Sequence, residues 1–173
     1  MNNDNIFCRK LDSSDLDGLL KYLHHLSAET KSRFGPHPFD AASVIDFYKA
    51  DDVTGYIAEE KLSNLIIAYA IVRKGILYFE RERLLHYNYF DLDKDCCTYA
   101  PSVADNWQGK GIGKLLFFYI ADDCKNQNIK RIILWGAVQS SNERAVNFYK
   151  KLGFKALGRF EYNGFNEDMI LEL

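Results

Sequence analysis

The chain has 173 residues, 47% of them apolar, which is ample for one hydrophobic core and a squeeze for two. Its formal charge of -2 and pI near 6.1 lack the clustered positive charge that a nucleic-acid backbone requires, so no nucleic-acid partner is expected. No run approaches the roughly eighteen apolar residues of a membrane span, and the polar Met1-Asn2-Asn3-Asp4-Asn5 start is no secretory leader; the expectation is a cytoplasmic protein that does not engage membranes.

Cys8, Cys96, Cys97 and Cys124 form no Cys-x-x-Cys pair and have no histidines at zinc spacing, so neither a metal site nor a disulfide framework is expected. They read as buried free thiols, with Cys96 and Cys97 on opposite faces if they share a strand.

In chain order, Phe7 to Leu11 reads as a first strand, and Asp12-Ser13-Ser14-Asp15 as the polar start of a helix carrying Leu16, Leu19, Leu20, Leu23 and Leu26 on one stripe. Ser27 to Phe39 loses helical periodicity and reads as a loop stiffened by Pro36 and Pro38. Asp40 is placed to cap a short helix with Val44, Ile45, Phe47 and Tyr48 inward. Thr54 to Glu60 and Asn64 to Val72 form a hairpin whose second strand, almost wholly apolar, is central. Gly75 to Phe79 is expected to extend the sheet, and the charge run Glu80-Arg81-Glu82-Arg83 to face solvent.

Cys96 to Val103 reads as a strand interrupted by Pro101, which cannot donate to a ladder and therefore marks a bulge or the end of pairing. A helix follows with Ile112, Leu115, Leu116, Tyr119, Ile120 and Cys124 inward, then a buried strand from Arg131 to Trp135. The polar turn Gln139-Ser140-Ser141-Asn142-Glu143 opens a helix that stops at Gly153. Two closing strands, Phe154 to Phe160 and Glu167 to Leu173, flank an Asn163-Gly164 turn. The fold class is α/β: an antiparallel front half followed by a strand-helix-strand-helix unit.

The chemistry concentrates in Ser102-Val103-Ala104-Asp105-Asn106-Trp107-Gln108-Gly109-Lys110-Gly111-Ile112-Gly113-Lys114. Glycines at alternate positions between a strand and a helix let main-chain N–H groups point at an anion without obstruction. A dinucleotide site is excluded because Gly-x-Gly-x-x-Gly is absent, and a phosphate-loop nucleotidase because the lysines are followed by Gly111 and Leu115 rather than Ser or Thr.

Gln108 to Gly113 resembles the acyl-CoA motif Arg/Gln-x-x-Gly-x-Gly/Ala of the GNAT superfamily of N-acetyltransferases, with Gln108, Gly111 and Gly113 at its defining positions. Asn142, Ala145, Tyr149 and Gly153-Phe154 resemble that superfamily's second block, in the right order. The resemblance covers residues 6 to 173 and implies a single N-acetyltransferase domain. It implies a mixed sheet with helices on both faces, whose strands part at the acyl-CoA site.

The implied donor is acetyl-CoA, its pyrophosphate held at Gln108, Gly109, Lys110, Gly111, Ile112, Gly113 and Lys114, its pantetheine arm along Ser102 and Val103, and Asn142 in the cofactor region. Tyr149 takes the position of the group that protonates the departing thiolate, while a neutral amine of a small molecule or protein attacks the thioester directly. From helix position alone, Tyr149 is equally a core anchor, Asn142 a helix cap, and Ser140 with Glu143 a capping box.

The strand before the glycine turn carries no carboxylate at the expected place for a general base. Glu59, Glu60 or a bound water are substitutes. Acceptor recognition is expected from the first helix, the Ser27 to Asp40 loop and the Glu80 to Leu92 segment, with Arg33, Phe34, His37, Tyr87, Tyr89 and Phe90 as candidates. Exposed aromatics of the last strands are a candidate homodimer face. The alternative function is a catalytically inactive acyl-CoA-binding regulatory module, and a purely structural protein leaves both motifs unexplained.

Overall fold

A computed structural model describes residues 5–87 and 94–173. Tyr89 and Phe90 lie outside the described residues. In chain order the elements are β1 (Ile6–Lys10), α1 (Leu16–His25), α2 (Ala28–Arg33), α3 (Ala41–Phe47), β2 (Val53–Glu60), β3 (Leu65–Lys74) and α4 (Arg81–Leu85). There follow β4 (Cys96–Val103), α5 (Ile112–Asn126), β5 (Arg131–Leu134), β6 (Val138–Gln139), α6 (Glu143–Leu152), β7 (Lys155–Glu161) and β8 (Phe165–Glu172). They belong to two compact units, Met1–Val72 with Ala100–Asp122 and Arg73–Tyr99 with Asp123–Leu173.

In the first unit the strand order is β1-β2-β3-β4. β1 runs antiparallel to β2, Ile6 opposite Glu60 and Lys10 opposite Tyr56. Asn64 closes the β2–β3 hairpin with φ 53°, its N–H donating to the Glu60 carbonyl at 2.8 Å. Residues 66–72 of β3 are all buried, as expected of a near-continuous apolar strand. A capping box between Asp12 and Asp15 starts the turn before α1, which buries Leu19, Tyr22 and Leu23.

Three local expectations give way to the structure. The Ser27 to Phe39 stretch is not all loop: Ser27 accepts from the Thr30 N–H and caps α2, a helix with no buried side chain and hence no apolar period to read. In α3, capped by Asp40, Val44 is buried but Ile45 is 51% exposed. In α5, likewise, Leu116, Phe117, Ile120, Ala121 and Cys124 form the buried stripe, leaving Tyr119 outside it at the rim of Tyr56, ring centres 6.3 Å apart.

The second unit has the order β4-β5-β8-β6, with β7 also on β8. β4 and β5 are parallel from Cys96 opposite Arg131 to Tyr99 opposite Leu134, and the ladder stops there, before Pro101. β5, β6 and β7 all run antiparallel to β8, and a register shift falls between Ala156 and Gly158. The short β6 replaces part of the expected polar turn. As strand alternation requires, Cys96 packs with Leu84, Ile133 and Ile170, while the Cys97 sulfur faces that of Cys124 at 3.9 Å; none of the four cysteines forms a disulfide among the described residues. Gly153, in the left-handed region at φ 99°, ends α6.

Gly75 to Phe79 does not extend the sheet. Gly75 turns the chain at φ 77°, donating its N–H to the Cys96 carbonyl at 2.8 Å, and a 3-10 turn at Tyr78–Glu80 leads into α4. The charge run is solvated only in part: Arg81 and Glu82 are exposed, but Glu80 and Arg83, three apart on one helical side, turn inward. Arg83 donates from Nε and Nη2 to Asp168 at 2.8 and 3.0 Å and from Nη2 to Glu80 at 2.7 Å, and lies 3.9 Å over the Phe160 ring. Tyr87 donates its hydroxyl to Asp168 at 2.9 Å, and the Gly136 N–H reaches Glu80 Oε1 at 3.0 Å. Glu80 Oε2 is buried with no hydrogen-bond partner among the described residues.

One arginine thus serves two fully buried carboxylates. Burial lifts Glu80 from its ordinary 4.5 to about 7, against the pull of Arg83. Between those values the folded state keeps a proton that the unfolded state releases, so stability from this site is present at low pH and is lost as pH rises through about 7. Urea unfolding at pH 5 and pH 7.5 is expected to show the wild type losing about 2 to 3 kcal/mol more than Glu80→Gln over this interval. Parallel pH profiles for the two proteins would refute the assignment.

Candidate active site

The end of β4 is fixed by polar contacts within the first unit. Ser102, 7% exposed, has its hydroxyl 2.9 Å from the Tyr22 hydroxyl and donates to the Tyr69 carbonyl at 3.3 Å. The Ala104 N–H donates to the Ile67 carbonyl at 2.9 Å. Gln108 Nε2 reaches back to the Val103 carbonyl at 3.2 Å and the Thr30 hydroxyl at 3.4 Å. The Ser102 and Gln108 side chains therefore hold the turn in place; what they leave for a ligand is main chain.

A 3-10 turn at Asp105–Trp107 carries the chain into the glycines. Gly109 and Gly111 are left-handed, at φ 75° and 84°. Nothing lies within 4 Å of where a Gly111 side chain would begin, so backbone conformation rather than space demands glycine there. Ile112 is buried at 3% exposure and pins the start of α5 to the core. The first helical bond of α5 is Leu115 N–H to the Gly111 carbonyl at 3.0 Å, so helix geometry leaves the N–H groups of Ile112, Gly113 and Lys114 without intrahelical acceptors.

The rim is cationic. Lys110 and Lys114 are exposed, with ammonium groups 5.0 Å from the Trp107 ring centre and 5.6 Å from that of Phe118. Neither rests in a salt bridge among the described residues. Amides without intrahelical acceptors at a helix start, approached over glycines and flanked by two lysines, have the chemistry to receive a compact anion of the pyrophosphate type.

Asn142 and Tyr149 belong to the second unit. Asn142 is the N-cap of α6, its Oδ1 accepting from the Ala145 N–H at 3.2 Å; the Ser140–Glu143 capping box is not used. Tyr149 is 8% exposed, its ring edge-on to Phe154 and Phe148 at 5.5 and 5.4 Å between centres. Burial raises its pKa above the usual phenol range, and its charge in turn would raise that of Tyr99, already lifted by burial. At neutral pH the Tyr149 hydroxyl therefore keeps its proton.

The candidate bases and acceptor residues fare differently. Glu59 accepts from Arg9 Nε at 2.8 Å, in a network where Arg9 also forks onto Asp15 at 2.6 and 2.7 Å. Glu60 accepts from the Ser63 hydroxyl at 2.5 Å within the hairpin turn. Phe34 is buried against Tyr69, and Arg33 pairs with Glu29 at 2.8 Å. His37, 7% exposed, has Nδ1 2.7 Å from the Pro38 carbonyl and Nε2 3.0 Å from the Tyr69 hydroxyl; burial lowers its pKa. Nδ1 therefore carries the proton and the Tyr69 hydroxyl donates to Nε2.

Periodicity could not have revealed this His37–Tyr69 contact or the Tyr22–Ser102 one, since their partners lie 32 and 80 residues apart. Asp105, absent from the sequence-level candidates, accepts hydrogen bonds from Ser27 and Thr30.

Residues 20–154 match the model of the acetyltransferase (GNAT) family. No curated protein sequence matches the chain. Among solved structures, the GNAT domain of S. lividans PAT superposes with TM-score 0.73 at 19% identity, over 96% of this chain and 89% of that one. The putative acetyltransferase yncA from Salmonella typhimurium, solved with its cofactor acetyl-CoA, gives 0.74 at 17% identity over 98% and 95%. The ribosomal-protein-S5-alanine acetyltransferase from Vibrio fischeri gives 0.72 at 19% identity over 99% and 93%. At these identities the structures are evidence for the fold alone.

Proposed function

The chain belongs to the GNAT family and is an acetyl-CoA-dependent acetyltransferase; from that premise we propose that residues 6 to 173 are one N-acetyltransferase domain that acetylates a primary amine of a small molecule or protein. The observation that supports the donor half of this reading is that α5 starts at Ile112 directly behind left-handed Gly111, which leaves the amides of Ile112, Gly113 and Lys114 without intrahelical acceptors. Gln108 and Gly109 shape that turn, Lys110 and Lys114 add positive charge at its rim, and Ser102 and Val103 offer main chain to the pantetheine amides. The family resemblance gives Asn142 a cofactor contact, for which its NH2 group is the donor.

Acetyl-CoA supplies an activated acetyl thioester. Tyr149 holds a proton on its hydroxyl throughout the neutral range and gives it to the sulfur that leaves. Main-chain N–H groups near Val103 stabilise negative charge on the carbonyl oxygen. Glu59 is spent on Arg9 and Glu60 on Ser63, so the amine gives its proton to water rather than to either carboxylate.

Two measurements test this reading. Calorimetry with acetyl-CoA is expected to show binding that weakens about tenfold in Gly111→Ala, because a side chain at φ 84° costs roughly 1 to 2 kcal/mol, and that returns in Gly111→Asn, which tolerates the left-handed region. Equal weakening by Ala and Asn would show that the conformation is not what matters. Thiol release over a panel of polyamines, aminoglycosides, amino acids and lysine peptides is expected to identify the acceptor. On that acceptor Tyr149→Phe should lower kcat by about 10²-fold with little change in the acetyl-CoA KM. Unchanged turnover in Tyr149→Phe across the pH range would remove the proton-donor role.

A further inference from the structure

Helix α2 has little of its own to hold it in place. Ala28–Arg33 bury no side chain, and an isolated helix of this length does not persist in water. Its start is instead tied to the turn between β4 and the glycines. Asp105 Oδ1 accepts from the Ser27 and Thr30 hydroxyls, both at 2.7 Å, and Oδ2 accepts from the Ser27 N–H at 2.8 Å. Gln108 Nε2, 3.4 Å from the Thr30 hydroxyl, adds a weaker strand to the tie.

The carboxylate sits on a stiff turn. The Trp107 N–H donates to the Ala104 carbonyl at 2.7 Å and the Gln108 N–H to the Asp105 carbonyl at 3.3 Å, so Asp105 moves with the residues that open the cradle. Its contacts with α2 are nevertheless exposed to water. An exposed tie opens readily unless the turn beneath it is ordered, and whatever orders the turn lowers the entropy cost of closing the tie. Three donors on Asp105 also satisfy its negative charge next to a place that receives anions.

We propose that Asp105 is a positioning residue that transmits occupancy of the Gln108–Lys114 turn to α2, so that the first wall of the expected acceptor region is ordered when the donor is bound. This rests on the reading that the turn takes the CoA pyrophosphate. Arg33, in the last turn of α2, is then set in place by the donor through a carboxylate that touches neither substrate, while Phe34 just beyond it is already held in the core against Tyr69.

The test is hydrogen exchange of the full chain, read by mass spectrometry with and without saturating acetyl-CoA. In the wild type, acetyl-CoA is expected to slow exchange in the peptide covering residues 28–34 by about tenfold. That slowing should vanish in Asp105→Asn, and equally in the double variant Ser27→Ala, Thr30→Val, which cuts the tie from the other side. In both variants the β3 peptide should exchange as in the wild type, reporting an intact core, and by reciprocity the acetyl-CoA Kd should weaken by up to about tenfold, to the same extent in the two. Donor binding that leaves α2 exchange unchanged in the wild type overturns the proposal, as does slowing that survives in both variants. Loss of acetyl-CoA binding in Asp105→Asn alone also overturns it, by making Asp105 part of the cradle. A wild-type protein that binds no acetyl-CoA overturns the donor reading itself and the coupling with it.

Discussion

The end of β4 is the constraint on which the glycine turn depends. Ser102 is locked between the Tyr22 hydroxyl and the Tyr69 carbonyl, and Ala104 is locked onto Ile67. With the strand end fixed, the turn has only a few residues in which to reverse direction and start α5. Left-handed Gly109 and Gly111 accomplish this, and buried Ile112 fastens the result to the core. The pattern of unpaired N–H groups is a consequence of where β4 must stop and where α5 must begin.

The elements that were legible in the sequence are those whose evidence is local. The apolar run of β3, the proline in β4 and the left-handed Gly153 each act through their own backbone or their immediate neighbours. The glycine turn is legible for the same reason. What was hidden rests on polar contacts between distant residues: α2 is fixed by Asp105, 75 residues from Thr30, and Arg83 is drawn inward by Asp168 and pairs there with Glu80. A charge run looks alike whether its partner is water or a buried carboxylate 85 residues away. The second block was legible as a motif but ambiguous in role, since Asn142 does cap α6 and Tyr149 does pack on Phe154, whatever else they do.

Two carboxylates show how differently one chemical group is used. Glu80 has one oxygen unpaired in a buried place, and the cost of desolvation wins over Arg83, raising its pKa to about 7. At Asp105 burial pulls the same way, but the hydrogen bonds from Ser27 and Thr30 prevail and hold the carboxyl below its usual range. The first is a local strain within the second unit that grows with pH. The second stays ionised and keeps its contacts at any pH near neutral, as a tie between a turn and a helix requires.

The side chains around the donor turn are largely committed elsewhere. Ser102 and Ile112 are in the core, Gln108 braces the β4 end, and the lysines lie over aromatic rings. On the proposed reading the donor is therefore recognised mainly by main-chain N–H groups and diffuse positive charge, which suits a pyrophosphate and an amide-bearing arm shared by every acyl-CoA. Such a site carries little information about what receives the acetyl group. That information must reside in side chains that the donor does not need, and α2, held by hydrogen bonds rather than by packing, is free to differ in sequence without disturbing the core beneath it.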